Sequence, residues 1–184
     1  MRKLLFIACV ASLAACNNAA TTETKKDSTA TTTVMPEKKP VPSFPYTMEK
    51  PWSNWQIGDP QHIVTAMNAL KGFETGDIAA CIKGFGDSVE LHFDGYRAKL
   101  SNDSLGKWFT NERNNYTAYK VYMGDFESVI SEDKKTEYVT MWYKQVMTDK
   151  KGKTDSVSVV DDCKMANGKI VELDEKVQRY PAKK

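Results

Sequence analysis

Apolar side chains follow a helical period in the first part of the chain that is rich in large hydrophobic residues. From Ile63 to Leu70 they recur every three or four positions, which predicts an amphipathic helix. Asp59 and Pro60 are typical of a helix start, and Gly72 is expected to end this helix. The same reasoning predicts two further helices and one short strand. The helices are expected over 76–83 and 101–115, and the strand over 89–93.

The later part of the chain alternates between apolar and polar residues instead. This period of two predicts half-buried strands. Four such segments are expected, at 117–130, 136–148, 155–165 and 169–180. Asn167-Gly168 lies between the last two and is a strong signal for a tight hairpin. Helices followed by a run of antiparallel strands predict an α+β domain, in which about three N-terminal helices cover one face of an antiparallel sheet.

The first 15 residues have the layout of a secretory signal peptide. Arg2 and Lys3 precede a short apolar run, which is too short to span a bilayer as a stable helix. The sequence Leu13-Ala14-Ala15-Cys16 resembles the bacterial lipobox, whose cysteine is acylated and becomes the first residue of the mature protein. We therefore expect cleavage before Cys16 and a lipid anchor on Cys16. The alternative is an ordinary secretory signal in which Cys16 is incidental.

The segment 16–45 is predicted to be a disordered tether between the lipid and the folded domain. It holds seven threonines and four prolines and too few large apolar residues to offset the entropy of ordering. The domain itself is expected over 46–184. The protein should thus be exported and held to the cell envelope. Asn17 does not match the Asp signal that retains lipoproteins in the inner membrane of enteric bacteria, so the outer membrane is the expected site in a Gram-negative cell.

Charge and cysteine content narrow the classes of partner. The full chain has 26 Lys and Arg against 24 Asp and Glu, and loss of Arg2 and Lys3 with the signal leaves 24 against 24. A formally neutral chain lacks the basic surface that nucleic-acid binding needs. Cys81 and Cys163 remain in an oxidising compartment, where they could form a disulfide or stay as two buried thiols.

The order of elements, together with several short motifs, resembles the nuclear-transport-factor-2-like superfamily, which includes the SnoaL-like and ketosteroid-isomerase-like proteins. The resemblance covers about 57–180. It is carried by Ala69, Gly76-Asp77-Ile78, Ala80, Phe85, Asp87, Val89 and the segment 167–171. It implies a cone-shaped domain, in which a curved antiparallel sheet wraps around the helices and a pocket opens at the wide end. Many members dimerise through the outer sheet face, so a homodimer is one expected partner. The fold serves enzymes, binding proteins and adaptors alike.

The residues that carry catalysis in isomerase-like members are mostly different here. The tyrosine of the first helix falls on Ala69, and the general base of the first strand falls on Phe93. The second carboxyl, on the penultimate strand, falls close to Asp161. The resemblance therefore does not predict ketosteroid isomerase chemistry.

His92 and Asp161 are the candidate catalytic residues. A His–Asp pair at the pocket mouth could act as a general base, with the carboxylate fixing the imidazole tautomer. Alternatively, the alternation along 89–93 places His92 on the outer face of the sheet, and Asp161 is a solvated carboxylate at a strand end. His62 is three residues after Asp59 and is expected to cap the first helix.

An apolar pocket with few polar groups would suit a small apolar ligand. The candidate pocket residues are Trp108, Tyr119, Trp142 and Asp161. No His or Cys pair has the spacing of metal ligands, and no phosphate-binding glycine loop is present, so neither a metal nor a cofactor is expected. The leading hypothesis is a membrane-tethered domain that binds a small apolar ligand or a protein partner without catalysis. The alternative is a cofactor-free isomerase, dehydratase or cyclase that uses His92 and Asp161.

Overall fold

A computed structural model describes residues 41–179, and the predicted signal peptide, Cys16 and most of the tether lie outside this range. Residues 41–55 contain no helix or strand, and a compact unit begins at Thr47. No helix between residues 41 and 179 is long and apolar enough to cross a membrane.

Between residues 41 and 179, three helices and seven strands form an α+β domain. The sequence predicts this class and the three helices, but only five of the seven strands. The helices are α1 (Pro60–Thr75), α2 (Ile78–Ile82) and α3 (Asn102–Arg113). The strands are β1 (Gln56–Ile57), β2 (Phe85–Phe93), β3 (Tyr96–Ser101), β4 (Tyr116–Ile130), β5 (Glu137–Asp149), β6 (Thr154–Ala166) and β7 (Lys169–Arg179). They make one curved sheet in the order β1-β4-β5-β6-β7-β2-β3.

One pairing in this sheet differs from the all-antiparallel arrangement that the sequence predicts. β2 runs parallel to β7, and Leu91 lies opposite Leu173. The remaining pairings are antiparallel, so the sheet is mixed. This parallel pair brings the first long strand beside the last one and therefore joins the two ends of the domain.

The predicted end of the first helix at Gly72 is wrong. The helix continues to Thr75, and Gly76 follows it in the left-handed conformation at φ 81°. Gly72 instead lies where α1 and α2 cross, and it allows their backbones to approach closely. A Cβ atom on Gly72 would lie 2.5 Å from the backbone nitrogen of Cys81, so only glycine allows this approach.

The predicted N-cap of the first helix is present, and the second helix has an N-cap of the same kind. Asp59 accepts a hydrogen bond from the backbone N–H of Gln61 at 2.8 Å, and Asp77 accepts one from Ala80 at 2.9 Å. The prediction for His62 is wrong, because its ring does not reach back to the cap. His62 Nδ1 lies 2.6 Å from Glu137 Oε1, and the N–H of Asp59 donates to the same oxygen at 3.0 Å. Glu137 thus ties the start of α1 to β5.

The hydrophobic core lies between the helices and one face of the sheet, which we call the inner face. Along β5 and β6 every second residue points to it, and these residues are buried. They include Val139, Met141, Tyr143, Met147, Val157, Val159, Cys163 and Met165. The intervening residues form the outer face, where Thr140 donates to Asp162 at 2.7 Å.

Candidate ligand-binding cavity

A cavity of about 450 Å³ lies between the three helices and the inner face of the sheet. Its volume falls within the range of small-molecule sites in proteins. Much of its wall is aromatic. The aromatic members are Phe73, Phe85, Phe93, Tyr96, Trp108, Phe109, Tyr116, Tyr119 and Tyr143.

The partly exposed lining residues mark the open end of the cavity. Tyr96 is 44% exposed, and it lies opposite Phe93 in the hairpin of β2 and β3. The Trp108 ring stacks on Phe93 with centroids 5.3 Å apart and on Tyr96 at 6.0 Å. Three aromatic rings from two strands and α3 therefore form one side of the opening.

Asp161 is a buried acid in the sheet wall of the cavity. It sits on β6 between Val159 and Cys163 in the inward-facing set, and it is only 4% exposed. Tyr143 donates its hydroxyl hydrogen to Oδ2 at 2.9 Å. The other oxygen, Oδ1, is buried and has no hydrogen-bond partner among the described residues. A buried acceptor of this kind is costly unless a ligand or a proton occupies it.

Glu175 is the cross-strand partner of Asp161 in the pairing of β6 with β7, and it lines the same cavity. Burial raises the pKa of Asp161 to about 7, although the hydrogen bond from Tyr143 opposes this shift. Burial also raises the pKa of Glu175 to about 8, with further increases from the negative charges of Asp161 and Asp94. Near neutral pH the two carboxyls therefore hold protons that ordinary surface carboxyls have lost.

Two polar residues of β5 also line the cavity. Burial raises the pKa of Tyr143 well above its ordinary value, and the charge of Asp161 adds to the effect, so the phenol remains a donor. Gln145 donates from Nε2 to the sulfur of Met147 at 2.9 Å, while its buried Oε1 has no partner among the described residues. The cavity thus presents a second unpaired acceptor.

Arg113 supports the helical wall of the cavity but does not line the cavity itself. Its guanidinium donates to the backbone carbonyls of Phe73, Glu74 and Tyr116 at 3.0 to 3.2 Å. The same group lies 5.6 Å from the ring centroid of Tyr119. Arg113 therefore holds the end of α1, the end of α3 and the start of β4 in one arrangement.

The structure brings together three of the four predicted pocket residues. Trp108, Tyr119 and Asp161 all line the cavity, whereas Trp142 does not. Trp142 lies between Met141 and Tyr143 on β5, and since these two point inward, the tryptophan points outward and is 36% exposed.

His92 and Asp161 do not meet. Leu91 and Phe93 belong to the inner face, so His92 points to the outer face, where its Nδ1 lies 3.8 Å from Oε1 of Glu172. His92 is not among the residues that line the cavity. The carboxyl residue that the sheet pairing places beside Asp161 is Glu175.

Cys81 and Cys163, the cysteines within 41–179, are separate, buried thiols. Both line the cavity, and burial raises the pKa of Cys81 to about 12. Between residues 41 and 179, no three His, Cys, Asp or Glu side chains are grouped so that they could hold a metal ion.

Solved structures show which known fold this arrangement matches. A nuclear-transport-factor-2-like protein from Burkholderia pseudomallei K96243 matches 65% of this chain and 92% of its own, with 12% identity and a TM-score of 0.54. An epoxide hydrolase of the LEH-like type from M. tuberculosis matches 64% of this chain and 83% of its own, with 10% identity and a TM-score of 0.52. TerC, co-crystallised with polyporic acid, matches 64% and 92%, with 17% identity and a TM-score of 0.53.

No family model matches the sequence, and no curated protein matches it either. At such low identities the likeness to solved structures concerns the fold alone. The domain has the α+β cone fold of nuclear-transport-factor-2-like proteins, as the motifs around Gly76-Asp77-Ile78 predict.

Proposed function

We propose that this chain is an exported, lipid-anchored domain that binds a small, largely apolar molecule in its cavity without catalysing a reaction. The observation that carries the proposal is the buried Oδ1 of Asp161, an unpaired acceptor on a residue that lines an aromatic cavity. A ligand that donates one hydrogen bond to this oxygen would remove its desolvation cost. The apolar walls would supply most of the affinity through burial of hydrocarbon.

The anchor is the other part of the proposal, and the lipobox-like residues before Cys16 support it. The acylated Cys16 would hold the domain to a membrane of the cell envelope. Residues 17–45 would keep the domain clear of the lipid headgroups. A homodimer through the outer sheet face remains a further prediction. Nucleic acid is not proposed as a partner, because the mature chain is formally neutral.

The test is a titration of the full chain with naphthalen-1-ylmethanol, a neutral aromatic molecule with one hydroxyl donor. At about −0.5 kcal/mol for each of its heavy atoms, the affinity should be in the range of tens of micromolar. Isothermal titration calorimetry should give one site per chain. Absence of binding to naphthalen-1-ylmethanol at millimolar concentration would count against a pre-formed apolar cavity.

A cofactor-free acid–base enzyme is the second candidate function, and the Asp161–Glu175 pair favours it. Two carboxyls whose pKa values lie near neutrality can hold and accept a proton at the same site. Conversion of cyclohex-3-en-1-one to its conjugated isomer, followed by NMR, would detect such proton transfer. Turnover that is lost in Asp161→Asn and retained in His92→Asn would establish an enzyme. If the parent protein converts the substrate no faster than buffer alone, binding without catalysis is the function that the cavity supports.

A further inference from the structure

The side chains of the cavity lining that can carry a charge near neutral pH are all acids. Among the lining residues of the described chain, three are acids, Glu112, Asp161 and Glu175, and none is Lys, Arg or His. Asp94, in the turn between β2 and β3, adds its negative charge to that felt by Glu175. The site thus concentrates acidic groups and supplies no basic side chain to neutralise them.

The nearest basic side chains bind other groups. Arg113 donates to three backbone carbonyls behind the Tyr119 ring. Lys176 lies on the outer face, where it contacts Asp162 at 2.7 Å and Asp174 at 3.1 Å. Neither forms an ion pair with Asp161 or Glu175 in the described chain. The charge of Lys176 lowers the pKa of Asp161, but the charges of Asp162 and Asp174 on the same outer face raise it. Buried carboxyls in this situation either keep a proton or take up a cation from outside the chain.

The aromatic walls suit a cation as well as they suit hydrocarbon. The face of an aromatic ring attracts ammonium groups, and tryptophan does so most strongly. Trp108 stacks with Phe93 and Tyr96 at the opening, and Tyr116 lies 5.7 Å from Tyr119, measured between ring centroids. Acids surrounded by aromatic rings are the arrangement that recognises organic ammonium ions.

We propose that the ligand of this cavity is an organic cation, an apolar molecule that carries one amine. Its ammonium group would lie between the side chains of Asp161 and Glu175 and donate to Oδ1 of Asp161. Its hydrocarbon part would pack against Trp108 and the neighbouring rings. This inference rests on the proposed binding function and names the chemical class of its ligand.

Binding of a cation should displace a proton from the carboxyl pair. The titratable groups that face the pair are Tyr143 from β5, Tyr119 from β4, Cys163 from β6, Glu112 from α3 and Asp94 from the turn after β2. The two phenols and the thiol stay neutral near pH 7, because burial raises the pKa of each. The affinity for the cation should therefore rise with pH as Asp161 and Glu175 ionise.

The experiment compares three naphthalene compounds on the full chain by isothermal titration calorimetry at pH 8. They are naphthalen-1-ylmethanamine, which is a cation, naphthalen-1-ylmethanol, which is neutral, and 1-naphthoate, which is an anion. The amine should bind on the order of tenfold more tightly than the alcohol, a typical gain for a cation between acids and rings. The anion should bind most weakly. Repeating the amine titration at pH 6.5 in buffers of different ionisation enthalpy should reveal proton release.

Glu175→Gln and Glu172→Gln form a matched pair of variants on β7. Glu175→Gln should reduce the preference for the amine over the alcohol to less than threefold. Glu172→Gln, on the outer face, should leave the preference unchanged. A preference that persists in both Glu175→Gln and Asp161→Asn would overturn the inference.

The outcomes for the two proposals can be told apart. Equal or tighter binding of the alcohol would overturn the cation inference and leave the apolar cavity as a binding site. Binding of none of the three compounds would overturn both. Tighter binding of the amine without proton release at pH 6.5 would also contradict the inference, because the carboxyl pair would then not be the group that meets the cation.

Discussion

Asp161 and Glu175 face each other across the paired strands β6 and β7, and both side chains line one cavity. Adjacent carboxyls on a sheet repel each other when both are ionised. Their neighbours, Tyr143 and the aromatic walls, remove them from water without adding a positive charge. The pair is therefore a source of instability in the empty domain, and a ligand that satisfies it would stabilise the folded state.

The first prediction concerns the pH dependence of stability. In the unfolded chain Asp161 ionises near its ordinary pKa of about 4, whereas in the folded chain its pKa is raised to about 7. The folded state therefore holds the proton more tightly, so this contribution to stability is full below pH 4 and is lost as pH rises to 7. Asp161→Asn should remove this loss of stability at higher pH.

Urea unfolding at pH 5 and pH 8 measures this effect. Relative to the parent, Asp161→Asn should gain on the order of 2–3 kcal/mol of stability between pH 5 and pH 8, because each pH unit between pH 5 and the folded pKa of about 7 costs the parent about 1.4 kcal/mol. Asp155→Asn, an exposed position on the same strand, is the control and should follow the parent at both values. A parallel pH dependence for parent and Asp161→Asn would show that Asp161 titrates normally.

The second prediction separates the two tryptophans that the sequence presents as pocket candidates. Trp108 lines the cavity and Trp142 lies on the outer face. Trp108→Leu should weaken binding of naphthalen-1-ylmethanol about tenfold, since it removes an aromatic contact surface. Trp142→Leu should change the affinity less than twofold. The reverse ranking in calorimetric titrations would place the ligand on the outer face of the sheet.

The third prediction tests the close crossing of α1 and α2. In Gly72→Ala the new methyl group would meet the backbone of Cys81 and Asp77 within 2.9 Å, and the two helices would have to separate. We expect a loss of about 1–3 kcal/mol in the free energy of unfolding. Gly106→Ala in α3 is the control, because its Cβ would meet only the flexible Ile82 side chain at 3.5 Å. That change should stabilise the helix by about 0.5–1 kcal/mol, and equal effects in thermal unfolding would refute the crossing.

The fourth prediction concerns the membrane anchor. Cys16→Ser should abolish acylation and leave the precursor uncut before residue 16, because the lipobox-like motif requires the thiol. Mass spectrometry of the N-terminal peptide decides the question. A parent protein whose mature chain starts at Cys16 without lipid, or starts elsewhere, would refute the lipid anchor.

The periodic parts of the fold could be predicted from the sequence, and the weakly patterned parts could not. Much of the length of strands β4 to β7 alternates between apolar and polar residues, and the helices carry apolar stripes and caps. β3 is a short edge strand whose residues are mostly exposed or half-buried, so the apolar alternation that would identify it is absent. The parallel pairing of β2 with β7 joins segments more than 80 residues apart, and no local pattern encodes such a partner.

The residues of the candidate site also differ in how far the sequence predicts them. Asp161 could be predicted to point inward because it alternates with Val157, Val159 and Cys163. Glu175 has a matching signal, since it alternates with Leu173 and Val177, but this acid becomes a candidate only when β7 is placed beside β6.

Trp142 could not be assigned to a face from its neighbours. Met141-Trp142-Tyr143 is apolar throughout, so the phase of the alternation is lost at that point. The flanking residues Val139 and Gln145 are both buried, and this places Trp142 in the opposite set.

The measurement that tests the central claim most directly is a crystal structure of the protein soaked with naphthalen-1-ylmethanol. The account predicts that the naphthalene ring lies in the cavity against Trp108, with its hydroxyl within hydrogen-bond distance of Oδ1 of Asp161. A compound that binds in solution but lies on the outer face near Trp142, or that occupies the cavity with its hydroxyl directed away from Asp161, would contradict it.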